Sequence, residues 1–295
     1  MTPKVSVIVS TYNRLDYLKK TLFSVLNQTF QDFEILVVDD GTKGNLNEKW
    51  CEQFERINYI KIPHSGTPCK TRNLGIKKAK GKYVAFLDDD DLWVSNRLEL
   101  MVNVLDNNPD FGLVHAYCSL IDEDDNDLNQ IVGKPRNKKD KHGDVRDRMM
   151  GNWTISDYPL IRKEILSMVG YFNEDMIAAG EDVEFWARTS FFTKFYFLNL
   201  PLTKYRIHSK SNSKKNEKKY FDLNLKLKLF LDDFLERKVI SKKDYTKLIN
   251  KLVQNQIKKL KTNYFKTLII LHKLNFLWFL KYKNIKLLIF ILVKK

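Results

Sequence analysis

Gly81-Lys-Tyr-Val-Ala-Phe-Leu-Asp-Asp-Asp-Asp-Leu-Trp93 decides the fold. Tyr83–Leu87 is a short, unbroken apolar run of the kind that forms a strand buried on both faces. Asp88 to Asp91 follow it at once. Four carboxylates this close repel one another unless positive charge sits among them. If Tyr83–Leu87 is a strand, the acids lie where it ends. In open α/β sheets ligands bind in the crevice beyond the carboxyl ends of the strands. A hard divalent cation carrying a phosphate suits the cluster, because such metals take oxygen ligands and share them with substrate phosphates. The plain alternative is a solvated turn, or acids set against the N-terminal dipole of a following helix. A calcium loop starting at Asp88 is excluded, since Leu92 and Trp93 occupy the places of an oxygen ligand and a glycine.

Working outward, strands and helices alternate. Val5–Ser10, Phe33–Val38 and Tyr59–Ile62 read as strands; Leu15–Leu26, Leu46–Phe54 and Thr67–Ala79 read as helices. Ser95–Leu105 reads as a helix with Ser95 at its N-cap. This order argues for βαβ units and a parallel sheet. Phe111–Ile121 is another strand, Asp122–Asp127 an acidic turn, Gly133–Gly143 a polar loop, Asp182–Phe191 a helix and Phe195–Leu200 a strand. Ser209–Lys219 reads as a polar linker. Beyond it, Tyr220–Leu235 and Lys242–Leu260 read as helices, the first despite leucines alternating from Leu223 to Leu231. The expected organisation is an α/β domain over 1–208, a linker over 209–219 and a basic helical region over 220–295.

The chain has 295 residues and a net charge of +15. The charge is unevenly placed. Residues 1–208 hold 28 basic and 30 acidic residues, and residues 209–295 hold 23 basic and 6 acidic. From Tyr245 to Lys295 there are twelve lysines and no acid. Such asymmetry points to an anionic partner. Tyr264–Val293 is rich in Leu, Ile and Phe but broken by lysines. Its longest clean apolar run, Leu287–Val293, is far short of the roughly 20 residues that span a bilayer. An amphipathic helix on an anionic membrane surface is the favoured reading, and a packing or homodimer-forming subdomain is the other. Nucleic acid is not expected, because no binding motif accompanies the charge. Three scattered cysteines, Cys51, Cys69 and Cys118, and a start that runs straight into strand rather than a leader, lead us to expect a reduced, cytoplasmic setting.

Phosphate-loop motifs are lacking. Gly75 to Gly81-Lys82 has one residue too many for a Walker A loop, and Tyr83 replaces its Ser/Thr. What the sequence does carry is an ordered set of segments. Val5-Ser-Val-Ile-Val-Ser-Thr-Tyr-Asn13-Arg14, Phe33-Glu-Ile-Leu-Val-Val-Asp-Asp-Gly41-Thr42, Thr71-Arg-Asn-Leu-Gly75 and the opening run come first. Gly170-Tyr-Phe-Asn-Glu174 and Gly180-Glu-Asp-Val-Glu-Phe-Trp186 follow. Together, over residues 3–210, they resemble the family 2 glycosyltransferases.

The resemblance implies a GT-A fold: an α/β, Rossmann-like, mostly parallel central sheet flanked by helices, here with a C-terminal helical extension. It implies an inverting glycosyltransferase, hexosyl or N-acetylhexosaminyl, using a nucleotide-sugar donor, with UDP favoured. Asp88 and Asp90 match the ends of the DxD motif. Asp88 is expected on the nucleotide sugar and Asp90 on Mn²⁺ or Mg²⁺; Asp89, the variable place between them, is counted with the donor contacts. Asp91 is expected to cap the next helix. Tyr12 and Asp40 match positions that hold the base, and Ser10 a lesser contact. Arg72 is expected to pair with phosphate or with the acidic cluster. Glu181 and Asp182 match the catalytic pair, with Asp182 as general base. Tyr205-Arg-Ile-His208, with Ser211 and Ser213, resembles a segment closing over the diphosphate, which makes His208 a candidate metal ligand. Trp153 and Trp186 lie in the acceptor-side half, where core packing is the safer reading; His64 and His115 have no supporting context. The expected acceptor is a capsule, lipopolysaccharide or lipid-linked glycan, met peripherally at the inner face of a bacterial cell membrane. A nucleotidyltransferase is disfavoured by the missing glycine-rich loop. A non-catalytic membrane-associated binding module is disfavoured by the intact acidic pairs.

Overall fold

The structure, a computed structural model, describes residues 2–135, 137, 141–150, 155–156, 158–176, 180–208, 220–261 and 263–293. The 209–219 linker, Trp153, Ser211 and Ser213 lie outside the described residues. Contacts within the chain divide it into two units. The first is Met1–Val145 with Ile155–Lys214; the second is Arg146–Thr154 with Lys215–Lys295.

The first unit is built on a nine-stranded sheet. In chain order the strands are β1 (Val5–Thr11), β2 (Phe33–Asp39), β3 (Ile57–Lys61), β4 (Tyr83–Asp88), β5 (Leu92–Trp93), β6 (Phe111–Ile121), β7 (Asp127–Val132), β8 (Leu160–Arg162) and β9 (Lys194–Arg206). They lie side by side as β3-β2-β1-β4-β8-β6-β9-β5, with β7 on β6. β1, β2, β3 and β4 pair in parallel, and β6 pairs in parallel with β9. β8 is antiparallel to both β4 and β6, so those two share a direction. Six strands therefore point one way, and only β5, β7 and β8 oppose them. The sheet is mixed and mostly parallel.

Sterics and burial explain the elements. β1, β2 and β4 bury nearly every side chain because helices α1 (Leu15–Leu26), α3 (Pro68–Lys78) and α4 (Arg97–Asn107) accompany them; such strands read as continuous apolar runs. α1 turns Leu18, Leu22 and Val25 inward at helical spacing. α3 begins at Pro68 behind Thr67, whose side chain accepts from the Cys69 amide at 3.3 Å. α2 is shorter than expected, Leu46–Cys51.

Two expectations are corrected here. α4 starts after Asn96, not Ser95; Ser95 instead accepts the Thr29 amide through its carbonyl at 2.8 Å. Asp91 caps no helix. The chain goes straight into β5, and the buried Asp91 carboxylate accepts the Arg206 amide at 2.9 Å. The remaining helices of the first unit are α6 (Lys163–Val169) and α7 (Glu181–Thr189). Phe172 stacks on Phe185 of α7 at 3.9 Å, and Trp186 is 1% exposed, so this tryptophan is core.

The second unit is helical. α8 (Leu223–Glu236) buries Leu227, Phe230, Leu231 and Phe234, so helical spacing prevails over the alternating leucines and leaves Leu229 outside. α9 (Lys242–Lys258) is capped by Ser241 and packs through Leu248, Ile249, Leu252 and Val253. α10 (Tyr264–Leu274) and α11 (Tyr282–Val293) complete it. With them goes a short helix from mid-chain, α5 (Arg146–Met149), which lies inside the 1–208 domain expected from the sequence. Lys247 and Lys251 pair with Asp147, and Asn255 donates to the Met150 carbonyl at 2.7 Å.

Candidate active site

The common direction of six strands sets their carboxyl ends along one edge. Ser10 at the end of β1 lies in register with Asp88 at the end of β4, and Thr11 with Asp39 of β2. β9 runs the same way, so its end delivers Arg206 and His208 to the same edge. β1 sits between β2 and β4, the chain having left it in both directions, which is the switch point where open sheets form a crevice.

The four aspartates divide by direction. The Asp89 side chain turns inward. Its carboxylate accepts the Thr11 hydroxyl at 2.7 Å and the Tyr12 amide at 3.3 Å and meets Arg14 at 3.2 Å. It is 4% exposed, and burial, then the neighbouring Asp90 charge, push its carboxyl up to about 7. These contacts of Asp89 are with the protein, and they fix the start of the Tyr12 loop. Asp88 and Asp90 face outward. Burial raises the Asp88 carboxyl, Arg72 opposes this, and Asp90 adds to it.

Arg72 is the hub. Its guanidinium, 3% exposed, bonds Asp88 Oδ1 and Glu181 Oε1, each at 2.9 Å, and touches the Tyr158 hydroxyl. It lies over the Tyr158 and Phe172 rings at 4.9 and 5.5 Å. One cation thereby joins the end of β4 to the start of α7. Of the two pairings expected for Arg72, the structure has the acidic cluster.

The residues beside Arg72 explain how it is held. Asn73 donates to the Phe172 carbonyl and to Glu174, and its own carbonyl accepts the Phe172 amide at 2.8 Å. That clamp fixes the chain at Phe172 and Glu174. Gly75 brings α3 onto β1 so closely that a Cβ there would stand 2.4 Å from Ile8 Cγ2. At the other end, Gly180 takes the left-handed conformation at φ 88°, and α7 begins with Glu181 and Asp182 in its first turn. The Asp182 carboxyl is pushed up to about 6, chiefly by burial and then by Glu181, while Arg72 opposes the shift.

Asp90 meets two groups. Its Oδ2 is 2.6 Å from Arg14 and 2.9 Å from His208 Nε2. Among the described residues no group of three or more His, Cys, Asp and Glu is arranged to hold a metal ion. One carboxylate and one imidazole side by side do fit a cation that draws its other ligands from phosphates and water, provided Arg14 moves off Asp90.

Tyr12 and Asp40 are brought together through His64, which the sequence left without context. The Tyr12 and His64 rings stack at 4.2 Å and 16°. His64 Nδ1 lies 2.8 Å from the Asp40 carbonyl and 3.0 Å from its carboxylate. That carboxylate also accepts the Ser65 and Gly66 amides. Ser10 accepts the Thr71 hydroxyl at 2.8 Å.

Arg14, Tyr158 and Arg206 were assigned no role from sequence. Arg14 and Arg206 stand inside segments already quoted, so their place was marked though their work was not. Arg206 donates to the Asp90 carbonyl and pairs with Asp125 across 2.5 Å, tying the acidic turn to the site. Tyr158 had no signal at all. His115, the other histidine without context, is buried in the sheet, bonded through Nε2 to the Lys141 carbonyl, with its imidazole pushed down to about 3 by burial.

The Glycosyl transferase family 2 model matches residues 6–162. An uncharacterized glycosyltransferase of Rickettsia bellii is 34% identical over 223 residues, 74% of this chain and 31% of that protein. A Campylobacter jejuni protein, GalNAc(5)-diNAcBac-PP-undecaprenol beta-1,3-glucosyltransferase, is 26% identical over 83% of this chain and 79% of its own. The crystal structure of S. aureus TarS 1–349 in complex with UDP-GlcNAc has a TM-score of 0.69 at 19% identity, over 98% of this chain and 79% of that one. It shares the fold. The chain spans about a third of the length of its Rickettsia bellii, felis and conorii relatives.

Proposed function

Because the chain belongs to glycosyl transferase family 2, we propose that it moves a sugar from a UDP-sugar to a hydroxyl of a lipid-linked or surface glycan, with inversion at the anomeric carbon. The observation that carries this reading is the Arg72 bridge, which holds Asp88 and Glu181 on the two terminal nitrogens of one guanidinium. A donor site and a basic group are thereby coupled at the carboxyl edge of the sheet.

In this reading Tyr12 stacks the base and Asp40 with Ser10 orients the nucleoside, which requires His64 to yield the Tyr12 ring. Asp88 orients the donor. Asp90 and His208 would hold Mn²⁺ or Mg²⁺, which supplies Lewis-acid stabilisation of the leaving diphosphate. Asp182 removes the acceptor hydroxyl proton as that oxygen attacks C1; the C1–O bond to the diphosphate breaks, and UDP departs. One base and no second carboxylate nucleophile suit a single displacement. A carboxyl raised to about 6 is matched to this work, being ionised at neutral pH yet more basic than an ordinary aspartate. Glu181, tied to Arg72, orients the turn that carries the base.

The UDP-GlcNAc complex of TarS supports the choice of donor. The PP-undecaprenol substrate named for the Campylobacter relative supports a lipid-linked acceptor. Residues 1–208 carry the chemistry, and the basic region from 220 onward sets the enzyme at the inner face of the membrane, where such acceptors lie.

Thermal stabilisation by UDP-, GDP- and dTDP-sugars, with and without Mn²⁺, tests the donor and the metal together. UDP-sugars should stabilise the chain most, and only with the metal should the effect be full. Asp90→Ala should lose the metal-dependent part; UDP affinity unchanged in Mn²⁺ would overturn the metal assignment.

A further inference from the structure

The last two helices both leave apolar residues outward: α10 buries one face, and α11 buries Asn284 while Leu287, Leu288 and Ile291 are only half-covered. α10 turns Thr267, Ile270, Leu271 and Leu274 inward. Phe265 and Ile269, one turn apart on its other face, are exposed, Phe265 to 80%, and just past the helix end the exposed Phe276 lies against the His272 ring at 4.3 Å. Phe279 and Leu280 in the connecting turn are exposed around a buried Trp278. On α11, Asn284 is buried against the Trp278 carbonyl at 2.7 Å, while Tyr282, Ile285 and Ile289 form an outward stripe. A monomeric domain seldom leaves apolar surface of this kind uncovered without a use for it.

Charge identifies the partner. Lys273, Lys283 and Lys286 are exposed among these stripes, and no acid occurs from Tyr245 to Lys295. A second copy would bring like charge against like. No helix among the described residues is long and apolar enough to cross a membrane. An apolar stripe flanked by lysines on a helix too short to span is the pattern of an interfacial element.

We infer that the outward stripes of α10, the turn 276–280 and α11 are the surface by which the chain docks on an anionic lipid bilayer. Phe265, Phe276, Phe279, Tyr282 and Ile289 enter the boundary between headgroups and acyl chains. The lysines meet the headgroups, their stems lying along the apolar surface. This deepens the membrane-face part of the proposed function and rests on it only there.

Co-sedimentation of the full chain with vesicles tests the inference, in the absence of donor and acceptor, so that a failed transfer reading leaves the result intact. Binding to phosphatidylcholine mixed with phosphatidylglycerol should exceed binding to phosphatidylcholine alone by about tenfold or more and weaken with salt. The double variant Phe276→Ser/Phe279→Ser should lose about tenfold in binding at an unchanged melting temperature. Ile285→Ser/Ile289→Ser on α11 serves if the first variant unfolds. Lys283→Gln/Lys286→Gln should lower both binding and its salt dependence. Three results would each overturn it: no preference for anionic vesicles, folded Phe and Ile variants that bind as well as the parent, or a dimer in sedimentation velocity that either variant abolishes.

Discussion

In the first unit, charge is turned inward and matched; in the second, apolar surface is turned outward and left bare. Arg72, Glu181 and Asp89 are enclosed among partners assembled from four separated stretches of chain, with Asp88 at the open rim of the same network. Phe265, Phe276 and Tyr282 are mostly exposed, touched at most by a neighbouring ring such as His272 beside Phe276. Both arrangements oppose the usual sorting of polar outside and apolar inside. The difference lies in coupling. Removing one member of the buried charge network strands the others, whereas removing an exposed phenylalanine strands nothing.

The largest expected effect separates chemistry from structure within the network. Asp182→Asn should lower the transfer rate by about 10²–10⁴-fold while leaving donor affinity and melting temperature close to the parent. Near-normal turnover would remove it as base. In the parent the rate should fall about tenfold per pH unit below the Asp182 value of about 6, where the carboxyl is protonated, and level off above it. A flat profile through that range would oppose the assignment.

Arg72→Leu comes next. It leaves Asp88 and Glu181 facing each other without their cation, at a cost of about 3–5 kcal/mol in chemical denaturation. Arg72→Lys should recover only part, since an ammonium cannot span both carboxylates as the planar fork does. Gly75→Ala tests the scaffold beneath: its methyl group would meet the buried Ile8 side chain, with an expected loss of about 1–3 kcal/mol. Smallest of all, Ile289→Ser in the second unit should change stability by less than about 0.5 kcal/mol. A larger loss would mean that α11 is held by its outward stripe after all, and the contrast between the units would fail.

The contrast also explains what could be read from the chain beforehand. β1, β2, β4 and β6 were legible because burial on both faces leaves mostly apolar runs, unbroken over Tyr83–Leu87 in β4. β5 and β8, two and three residues long, exist only through their pairing partners and have no local signature. Site residues in ordered motifs were legible as positions. Their partnerships were not, since Arg72 with Glu181 or His64 with Tyr12 depends on where the sheet returns the chain. Asp91 shows the limit: an acid ahead of a helical pattern reads as a cap until β9 is known to lie beside it and offer the Arg206 amide. The lysine-rich end was legible as chemistry, while which apolar residues of α10 and α11 stay outward needed their packing to be seen.

The placement of α5 governs how the chain can be cut and in what order it matures. Asp147 and Met150 find their partners at Lys247, Lys251 and Asn255, about a hundred residues later in synthesis. On the ribosome, this stretch must wait outside its final setting until the helices downstream have emerged. A shortened gene ending at residue 208 would therefore produce a protein bearing a stranded insert, with Met149 and Met150 deprived of their cover. Any attempt to isolate the catalytic portion has to remove or redesign residues 146–154 along with the C-terminal helices.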